Sequence, residues 1–237
     1  MWSGFHISMW SELYKRIRCN FQCQNVIFAT TNQVRNAISF NAMYKNEKKI
    51  LLVLDVDETL VHATDKELER DHDFSVYGYN VYNRPYLEDF LLEMSKYFLL
   101  GIWSSASDDY VSEVVKHIVP NTIDLEFVWG RSRCTYRRDF SMDESRYYSS
   151  NHGDHYHFIK PLKKLKRQGY QLEKILIVDD SPHKCQDNFG NAIYPREFTG
   201  DVQDDELVGL SKYLITLKDK ENVRRIEKRF WRSSASK

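Results

Sequence analysis

The sequence predicts an α/β fold with a central parallel sheet flanked by helices. Short, continuous apolar runs alternate along the chain with segments in which apolar residues recur at helical spacing. Strands without polar residues at alternate positions are typical of a parallel sheet covered on both faces. Acidic, hydroxyl and basic residues follow several of these runs, and ligands bind to such sheets beyond the carboxyl ends of the strands. The same pattern therefore predicts where a functional site lies.

The first part of the predicted sheet begins with the apolar strand Ile50–Leu54. A charge-rich interruption, Asp65–Asp73, separates it from Ser75–Tyr82, where alternating apolar residues predict a short strand or hairpin. Pro85 suits the first position of a helix over Tyr86–Tyr97, where apolar residues recur at helical spacing. The insertion before this helix is too short for a full helical lid. We therefore predict a small hairpin-type cap and an open site.

The second part repeats the alternation of strands and helices. Phe98–Trp103 is a second apolar strand, and Ser107 is a suitable N-cap for a helix that Pro120 ends. Thr135–Asp154 reads as a polar, tyrosine-rich excursion. The remaining predicted strands are Leu125–Trp129 and Lys174–Val178, and the remaining predicted helices are Pro161–Arg167, Asp205–Leu217 and Glu221–Trp231.

Three regions are predicted: an N-terminal extension (1–46), the main α/β domain (47–219), and a C-terminal helix and tail (220–237). The C-terminal helix is expected to pack through Val223, Ile226 and Phe230. The extension contains the basic residues Lys15, Arg16, Arg18, Arg35 and Lys45 and a single acid, Glu12. Such a segment fits either a mitochondrial transit peptide or a loosely docked extension, and both interpretations stay open.

Composition limits the class of protein. The 237 residues include 34 Lys and Arg and 34 Asp and Glu, so no bulk positive charge favours a nucleic-acid partner. The four cysteines are too scattered for a disulfide framework, which favours a reducing compartment. No run reaches the roughly 18 apolar residues of a membrane span. We predict an intracellular protein, cytoplasmic or nuclear, without a membrane span; the oligomeric state is not predicted.

Polar residues follow four of the apolar strands. They are Asp55 and Asp57, then Ser104 and Ser105, then Arg131, then Asp179 and Asp180. Carboxylates at this density repel one another unless a cation neutralises them, and oxygen ligands favour a hard ion. The sequence therefore predicts a Mg²⁺ site at the carboxyl edge of the sheet.

The pair Asp55 and Asp57 also suits phosphoryl transfer. A carboxylate can attack phosphorus to form an aspartyl-phosphate, and a second acid can protonate the leaving oxygen and then activate water. Alone, the pair could equally cap a turn, Ser104 could be a turn residue, and Lys160 could be a solvated lysine. The acid pair, Ser104 and Lys160 precede Asp179 and Asp180 in the chain. Found together in this order, these residues favour phosphoryl transfer over the alternatives.

A family resemblance rests on the residues from Asp55 to His62, Asp-Val-Asp-Glu-Thr-Leu-Val-His. They resemble the signature of the haloacid dehalogenase superfamily, in the NLI-interacting-factor-like branch of RNA polymerase II C-terminal-domain phosphatases and their nuclear-envelope relatives. Further resemblances, in the family's order, are Arg84-Pro85, Trp103-Ser104-Ser105-Ala106, Arg131 before Cys134, Lys160-Pro161-Leu162, and Leu176 to Pro182. The resemblance spans residues 48–215 and implies a Rossmann-like haloacid dehalogenase fold.

The resemblance also implies an activity, that of a Mg²⁺-dependent phosphatase acting on a phosphorylated protein. It implies that Asp55 is the nucleophile and a metal ligand, and that Asp57 is the general acid and base and adds a metal ligand through its carbonyl. Lys160 would neutralise phosphoryl charge and orient Asp55. Asp179 and Asp180 would complete the metal site.

The resemblance assigns phosphate contacts to Thr59, Ser104, Ser105, Arg131 and Lys160, with Thr59 steadying its loop. Where this sequence has Ser104 the family usually has Thr, and where it has Asp180 the small members have Asn. The loop Thr135–His157 is longer than in the small phosphatases, so their substrate does not transfer.

Alternatives stay open for the function and for two residue clusters. The same fold could serve as a non-catalytic binding or protein-import subunit, or as a small-metabolite phosphatase. His152, His155 and His157 could bind a transition metal, although a solvated loop is the favoured interpretation. Cys19 and Cys23 could share a helix face, but partner ligands for zinc are lacking.

Overall fold

The computed structural model describes residues 49–138 and 156–235. The chain divides into two compact units, Met1–Tyr44 and Lys45–Lys237, and all described residues belong to the second unit. The predicted N-terminal extension therefore lies outside the described residues, as do Cys19, Cys23, His152 and His155. Among the described helices, none has the length and apolar character that crossing a membrane requires.

Five parallel strands form the central sheet, in the order β10-β9-β1-β5-β6. Their ranges are β1 Leu51–Leu54, β5 Leu99–Trp103, β6 Leu125–Trp129, β9 Ile175–Val178 and β10 Ala192–Ile193. Strand β1 lies at the centre, where Leu51 pairs with Leu99 on one side and Ile175 on the other. Because β1 and β9 are apolar along their whole length, they suit positions buried on both faces.

Helices cover both faces of this sheet. They are α1 Leu87–Tyr97, α2 Asp108–Ile118, α3 Lys163–Lys166, α4 Glu206–Leu217 and α5 Trp231–Ala235. Leu52 and Leu54 of β1 belong to one buried apolar cluster, whereas Leu51 and Val53 belong to another. Successive side chains of a strand point to opposite faces, so the two clusters are the two cores of a three-layer α/β domain. The predicted fold class is confirmed.

The insertion after β1 is a small antiparallel sheet. Its strands are β2 Val61–Thr64, β3 Phe74–Val76 and β4 Tyr79–Asn83, in the order β2-β4-β3. Tyr77 and Gly78 form the tight turn between β3 and β4, both with positive φ, the conformation that two-residue hairpin turns require. The described part of the chain contains no helical lid over this region, so the prediction of a hairpin-type cap is confirmed.

Two local predictions are wrong. The predicted loop Thr135–His157 is not loop at its two ends: β7 Thr135–Arg138 pairs antiparallel with β8 Tyr156–Ile159. The predicted helix Glu221–Trp231 is instead a 3₁₀ turn, Val223–Arg225, followed by α5.

The C-terminal segment departs from a helix because Lys228 is buried and its amine donates to the backbone carbonyls of Val223, Ile226 and Gly190. These carbonyls are thereby satisfied outside a helix. Phe230, predicted to pack inward, is 67% exposed, whereas Trp231 is buried in the core.

Candidate active site

The ladder hydrogen bonds of the sheet bring the predicted site residues to one edge. The Asp55 amide donates to the Val178 carbonyl at 2.9 Å, so Asp55 extends β1 alongside the end of β9. The Ser104 amide donates to the Trp129 carbonyl at 2.9 Å. The carboxylates and hydroxyls that follow parallel strands therefore share the carboxyl edge, where such sheets bind ligands.

Asp55, Lys160 and Asp179 form a buried charged cluster at the end of β1. The Lys160 amine, fully buried, lies 2.8 Å from Asp55 Oδ1 and 2.6 Å from Asp179 Oδ2. The Asp55 carboxylate also accepts a 2.8 Å hydrogen bond from the Val56 amide. Buried charges are stable only when paired and hydrogen-bonded, so this cluster holds the Asp55 carboxylate in one orientation.

The pKa values of Asp55 and Asp179 shift in opposite directions. Burial opposes ionisation of Asp55, but the charges of Lys160 and Lys184 outweigh burial and hold the pKa of Asp55 below its usual value. Burial and the charge of Asp55 raise the pKa of Asp179 to about 7. Of these two acids, Asp55 therefore favours the ionised form more strongly.

Asp57 has a different environment, two residues further on. Its Oδ1 accepts a 2.8 Å hydrogen bond from the Tyr110 hydroxyl, and its Oδ2 accepts one of 3.1 Å from Ser104 Oγ. Burial, followed by the charge of Asp55, raises the pKa of Asp57. Two neighbouring acids whose pKa values are driven apart are suited to separate roles.

Thr59 fixes the position of Asp180. Thr59 Oγ1 accepts a 3.1 Å hydrogen bond from the Asp180 amide and lies 3.4 Å from Asp180 Oδ1. The Ser181 hydroxyl donates to Asp180 Oδ2 at 2.8 Å. Thr59 thus joins the loop after β1 to the loop after β9, and a contact of Thr59 with phosphate stays a prediction.

Three carboxylates could hold a metal ion. Asp55, Asp179 and Asp180 each offer an oxygen, and these oxygens lie within 4.8 Å of one another. An all-carboxylate donor set at this spacing fits a hard divalent ion. The side chain of Asp57 is not part of the set, since Tyr110 and Ser104 hold it elsewhere. A ligand from the Asp57 carbonyl stays a prediction.

Ser105 and Arg131 lie at the rim of this edge. Arg131 is exposed; its Nε donates to the Ser105 carbonyl at 2.8 Å, and its guanidinium lies 5.2 Å from the centre of the Phe158 ring. Its described contacts are therefore with the rim, not with the carboxylates. His157 lies 2.7 Å from the Gln186 amide, with its ring 5.9 Å from that of His183.

Sequence reasoning missed two residues of the site, Lys184 and Tyr110. Lys184 lies in the 3₁₀ turn Pro182–Cys185, and its amine is 3.1 Å from Asp55 Oδ2. Tyr110 lies on α2, where it reads as one more apolar residue of the helix. The sequence did contain one signal for Lys184. It follows Asp179 and Asp180 by a few residues, and the turn after β9 must pass the same edge of the sheet.

The raised pKa of Asp179 predicts that the stability of the fold depends on pH in metal-free buffer. Its pKa rises from 3.8 to about 7 in the fold, so between these values the folded state binds more protons than the unfolded state. Protonation then favours the fold, and the free energy of unfolding should decrease as pH rises from about 4 to 7, by at most about 1.4 kcal/mol per pH unit from this group. Burial and the charge of Asp57 also raise the pKa of Glu58 to about 7. Glu58 therefore contributes to the pH dependence of stability with the same sign.

Urea unfolding in EDTA at several pH values between 5 and 7.5 measures this dependence. Asp179→Asn should flatten the slope and leave the contributions of Glu58 and Asp57, whose pKa values are also raised. Stability of the unmodified chain that increases with pH over this range would contradict the prediction.

Comparison with known proteins agrees with the geometry. Residues 50–224 match the family described as NLI interacting factor-like phosphatase. The CTD small phosphatase-like protein 2 of Dictyostelium discoideum is 31% identical over 183 residues, which are 74% of this chain and 29% of that protein. Nuclear envelope morphology protein 1 of Saccharomyces cerevisiae is 24% identical over 228 residues, which are 87% of this chain and 48% of that protein.

This chain is also similar to two further proteins. The human CTD small phosphatase-like protein is 26% identical over 182 residues, 74% of this chain and 58% of that protein. A solved structure of Fcp1, described as an essential RNA polymerase II CTD phosphatase, aligns with a TM-score of 0.48 at 16% identity, over 84% of this chain and 64% of that one. The chain spans between 29% and 58% of the length of these three curated relatives.

The family match covers most of the described residues and includes the whole carboxyl edge of the sheet. It contains Asp55, Asp57, Lys160 and the Asp179-Asp180 pair, in the arrangement described above. The resemblance predicted from the sequence is confirmed. The chain belongs to the NLI interacting factor-like phosphatase family and contains its haloacid dehalogenase-type domain.

Proposed function

We propose that this chain is a Mg²⁺-dependent phosphatase that hydrolyses phosphoserine or phosphothreonine in proteins through an aspartyl-phosphate on Asp55. The observation that carries the proposal is the contrast between Asp55 and Asp57. Asp55 is a buried, ionised carboxylate oriented by Lys160, and Asp57 is an acid with a raised pKa, held by two hydroxyl donors.

The chemistry proceeds in two displacements. A carboxylate oxygen of Asp55 attacks phosphorus, the bond to the substrate oxygen breaks, and Asp57 donates its proton to that leaving oxygen. Asp57 then accepts a proton from water as the water oxygen attacks phosphorus, which releases phosphate and restores Asp55. Each step conserves protons, because Asp57 gains from water the proton that it gave to the leaving group.

The carboxylates of Asp55, Asp179 and Asp180 would hold the metal ion, whose charge would offset that of the transferred phosphoryl group. Lys160 adds a fixed positive charge beside Asp55. Ser104, with its hydroxyl 3.1 Å from Asp57, is proposed to contact the phosphoryl oxygens. The rim residues Ser105 and Arg131 are proposed to contact the substrate.

A macromolecular substrate is proposed because the described cap leaves the edge open. The insertion after β1 is a three-stranded sheet instead of a helical lid, and small substrates are usually enclosed. Relatives carry names that refer to the RNA polymerase II C-terminal domain and to the nuclear envelope. These names support a nuclear or cytoplasmic location for this chain.

Turnover of an aryl phosphate, of phosphoserine and phosphothreonine peptides, and of a panel of phosphorylated metabolites tests the function. We expect turnover of the aryl phosphate and the peptides with Mg²⁺, and loss of both in EDTA with recovery when Mg²⁺ is restored. Acid quenching during turnover should trap a phosphoryl-enzyme. Turnover confined to the metabolites would identify the alternative substrate class. Peptide binding independent of phosphate, with no turnover, would support a binding subunit.

A further inference from the structure

Lys184 lies among the three carboxylates that could hold a metal ion. Its Nζ is 3.1 Å from Asp55 Oδ2, 3.6 Å from Asp180 Oδ1 and 3.8 Å from Asp179 Oδ1. These are the same three residues whose oxygens approach one another within 4.8 Å. A side-chain cation of the protein therefore lies where a divalent cation would be bound.

We propose that Lys184 and the divalent metal ion compete for this position, so that Lys184 sets the metal affinity of the site. The inference rests on the proposed metal-dependent function and adds a residue to it. Two cations that both contact all three carboxylates repel each other strongly in a partly buried site, where solvent screens little. Binding of the metal ion therefore requires the Lys184 amine to leave.

The two lysines of the cluster differ in how firmly they are held. Lys160 is fully buried and makes two close ion pairs, to Asp55 Oδ1 at 2.8 Å and to Asp179 Oδ2 at 2.6 Å. Lys184 has a side chain 15% exposed, and its three contacts are all longer. Of the two, Lys184 is therefore the cation that can exchange.

The contacts divide the oxygens of Asp55 between the two lysines. Lys160 binds Oδ1 and Lys184 binds Oδ2. Departure of Lys184 thus removes its positive charge from Asp55 Oδ2, Asp179 Oδ1 and Asp180 Oδ1, while Lys160 keeps its own contacts. The long, flexible lysine stem gives the amine a route to solvent. A metal ion then replaces one positive charge without dismantling the cluster.

Lys184 also has a role when no metal ion is bound. Three neighbouring carboxylates repel one another, and only Lys160 and Lys184 among the described cations contact Asp55. Lys184 therefore stabilises the metal-free fold, and its removal should make stability depend more strongly on the metal.

Magnesium binding to the full chain, measured by calorimetry without substrate, tests the inference. We expect Lys184→Met to lower the Mg²⁺ dissociation constant tenfold or more. The matched control is Lys174→Met, which removes the same charge from a lysine that precedes β9 and donates to the Lys220 carbonyl; it should leave the constant unchanged. Lys184→Arg, which keeps the charge, should not tighten binding.

Thermal melting supplies a second measurement. In EDTA, Lys184→Met should melt at a lower temperature than the unmodified chain, and Mg²⁺ should raise its melting temperature by a larger increment. If Lys184→Met does not fold in EDTA but folds with Mg²⁺, the same conclusion holds.

The outcomes separate this inference from the proposed function. Tighter Mg²⁺ binding without phosphatase turnover would retain the competition and reject the function. Phosphatase turnover with unchanged or weaker Mg²⁺ binding in Lys184→Met would reject the competition and retain the function. Absence of Mg²⁺ binding to both proteins would reject both.

Discussion

Asp55→Asn should reduce turnover of a phosphopeptide by roughly four orders of magnitude or more, because the amide cannot act as the attacking carboxylate. The substitution keeps the shape of the side chain and removes one buried negative charge. Lys160 keeps its 2.6 Å contact with Asp179, so the fold should persist. Steady-state turnover with saturating Mg²⁺, together with a melting curve, measures both expectations.

Asp57→Asn is the matched control for this result, since it changes the other acid of the pair in the same way. It should reduce turnover by about two to four orders of magnitude, as expected for loss of a general acid and base. A phosphoryl group should still be trapped on Asp57→Asn from an aryl phosphate, whose leaving group needs little protonation. Trapping on Asp55→Asn, or Mg²⁺-dependent turnover that survives in it, would contradict the mechanism.

The separation of roles depends on geometry that residue spacing alone does not supply. Asp55 and Asp57 are one residue apart, yet Asp55 faces two lysines and Asp57 faces two hydroxyls. Lys160 comes from the loop after β8 and Tyr110 from α2. The divergent pKa values of two similar side chains thus arise from elements that are distant in the sequence.

Most of the main sheet was predictable because β1, β5 and β9 are buried on both faces. A run such as Ile50–Leu54 has no polar residue to confuse with a helix face, and the observed β1, Leu51–Leu54, differs by one residue. The positions of Asp55 and Asp179 followed from the same argument, since parallel strands end at one edge. Periodicity and topology were sufficient for this part of the site.

Lys184 and the C-terminal segment were not predictable in this way. Lys184 lies in a short turn, and a short turn has no periodic pattern of apolar residues from which the position of its amine could be predicted. In the segment after Glu221, helical spacing was present but misleading, because the buried Lys228 binds backbone carbonyls in place of a helix. The contacts that Lys184 and Lys228 make inside the fold leave no trace in a hydrophobic pattern, and the structure identifies them.

Arg84→Met should lower the free energy of unfolding by about 3–5 kcal/mol, since it breaks a buried ion pair on one side only. Arg84 is 1% exposed, and its Nε and Nη2 each donate to the Asp204 carboxylate at 2.8 Å. Its Nη1 donates to the Thr59 carbonyl at 2.9 Å, and Nη2 also donates to the Arg196 carbonyl at 3.0 Å. Methionine has similar length but leaves these acceptors without donors. Urea unfolding of the full chain measures the loss.

The expected loss of stability arises because Asp204 keeps its charge after its partner Arg84 is removed. A second variant separates this cause from the loss of packing around the Arg84 side chain. Arg84→Met combined with Asp204→Leu removes both charges, so part of the lost stability should return. The surface control is Lys96→Met, whose exposed pair with Glu93 is screened by solvent and should not matter measurably. A loss below about 1 kcal/mol in Arg84→Met would mean that water replaces the guanidinium. The larger loss would show that the contacts of Arg84 with the loop carrying Thr59 and with the chain that precedes α4 stabilise the fold.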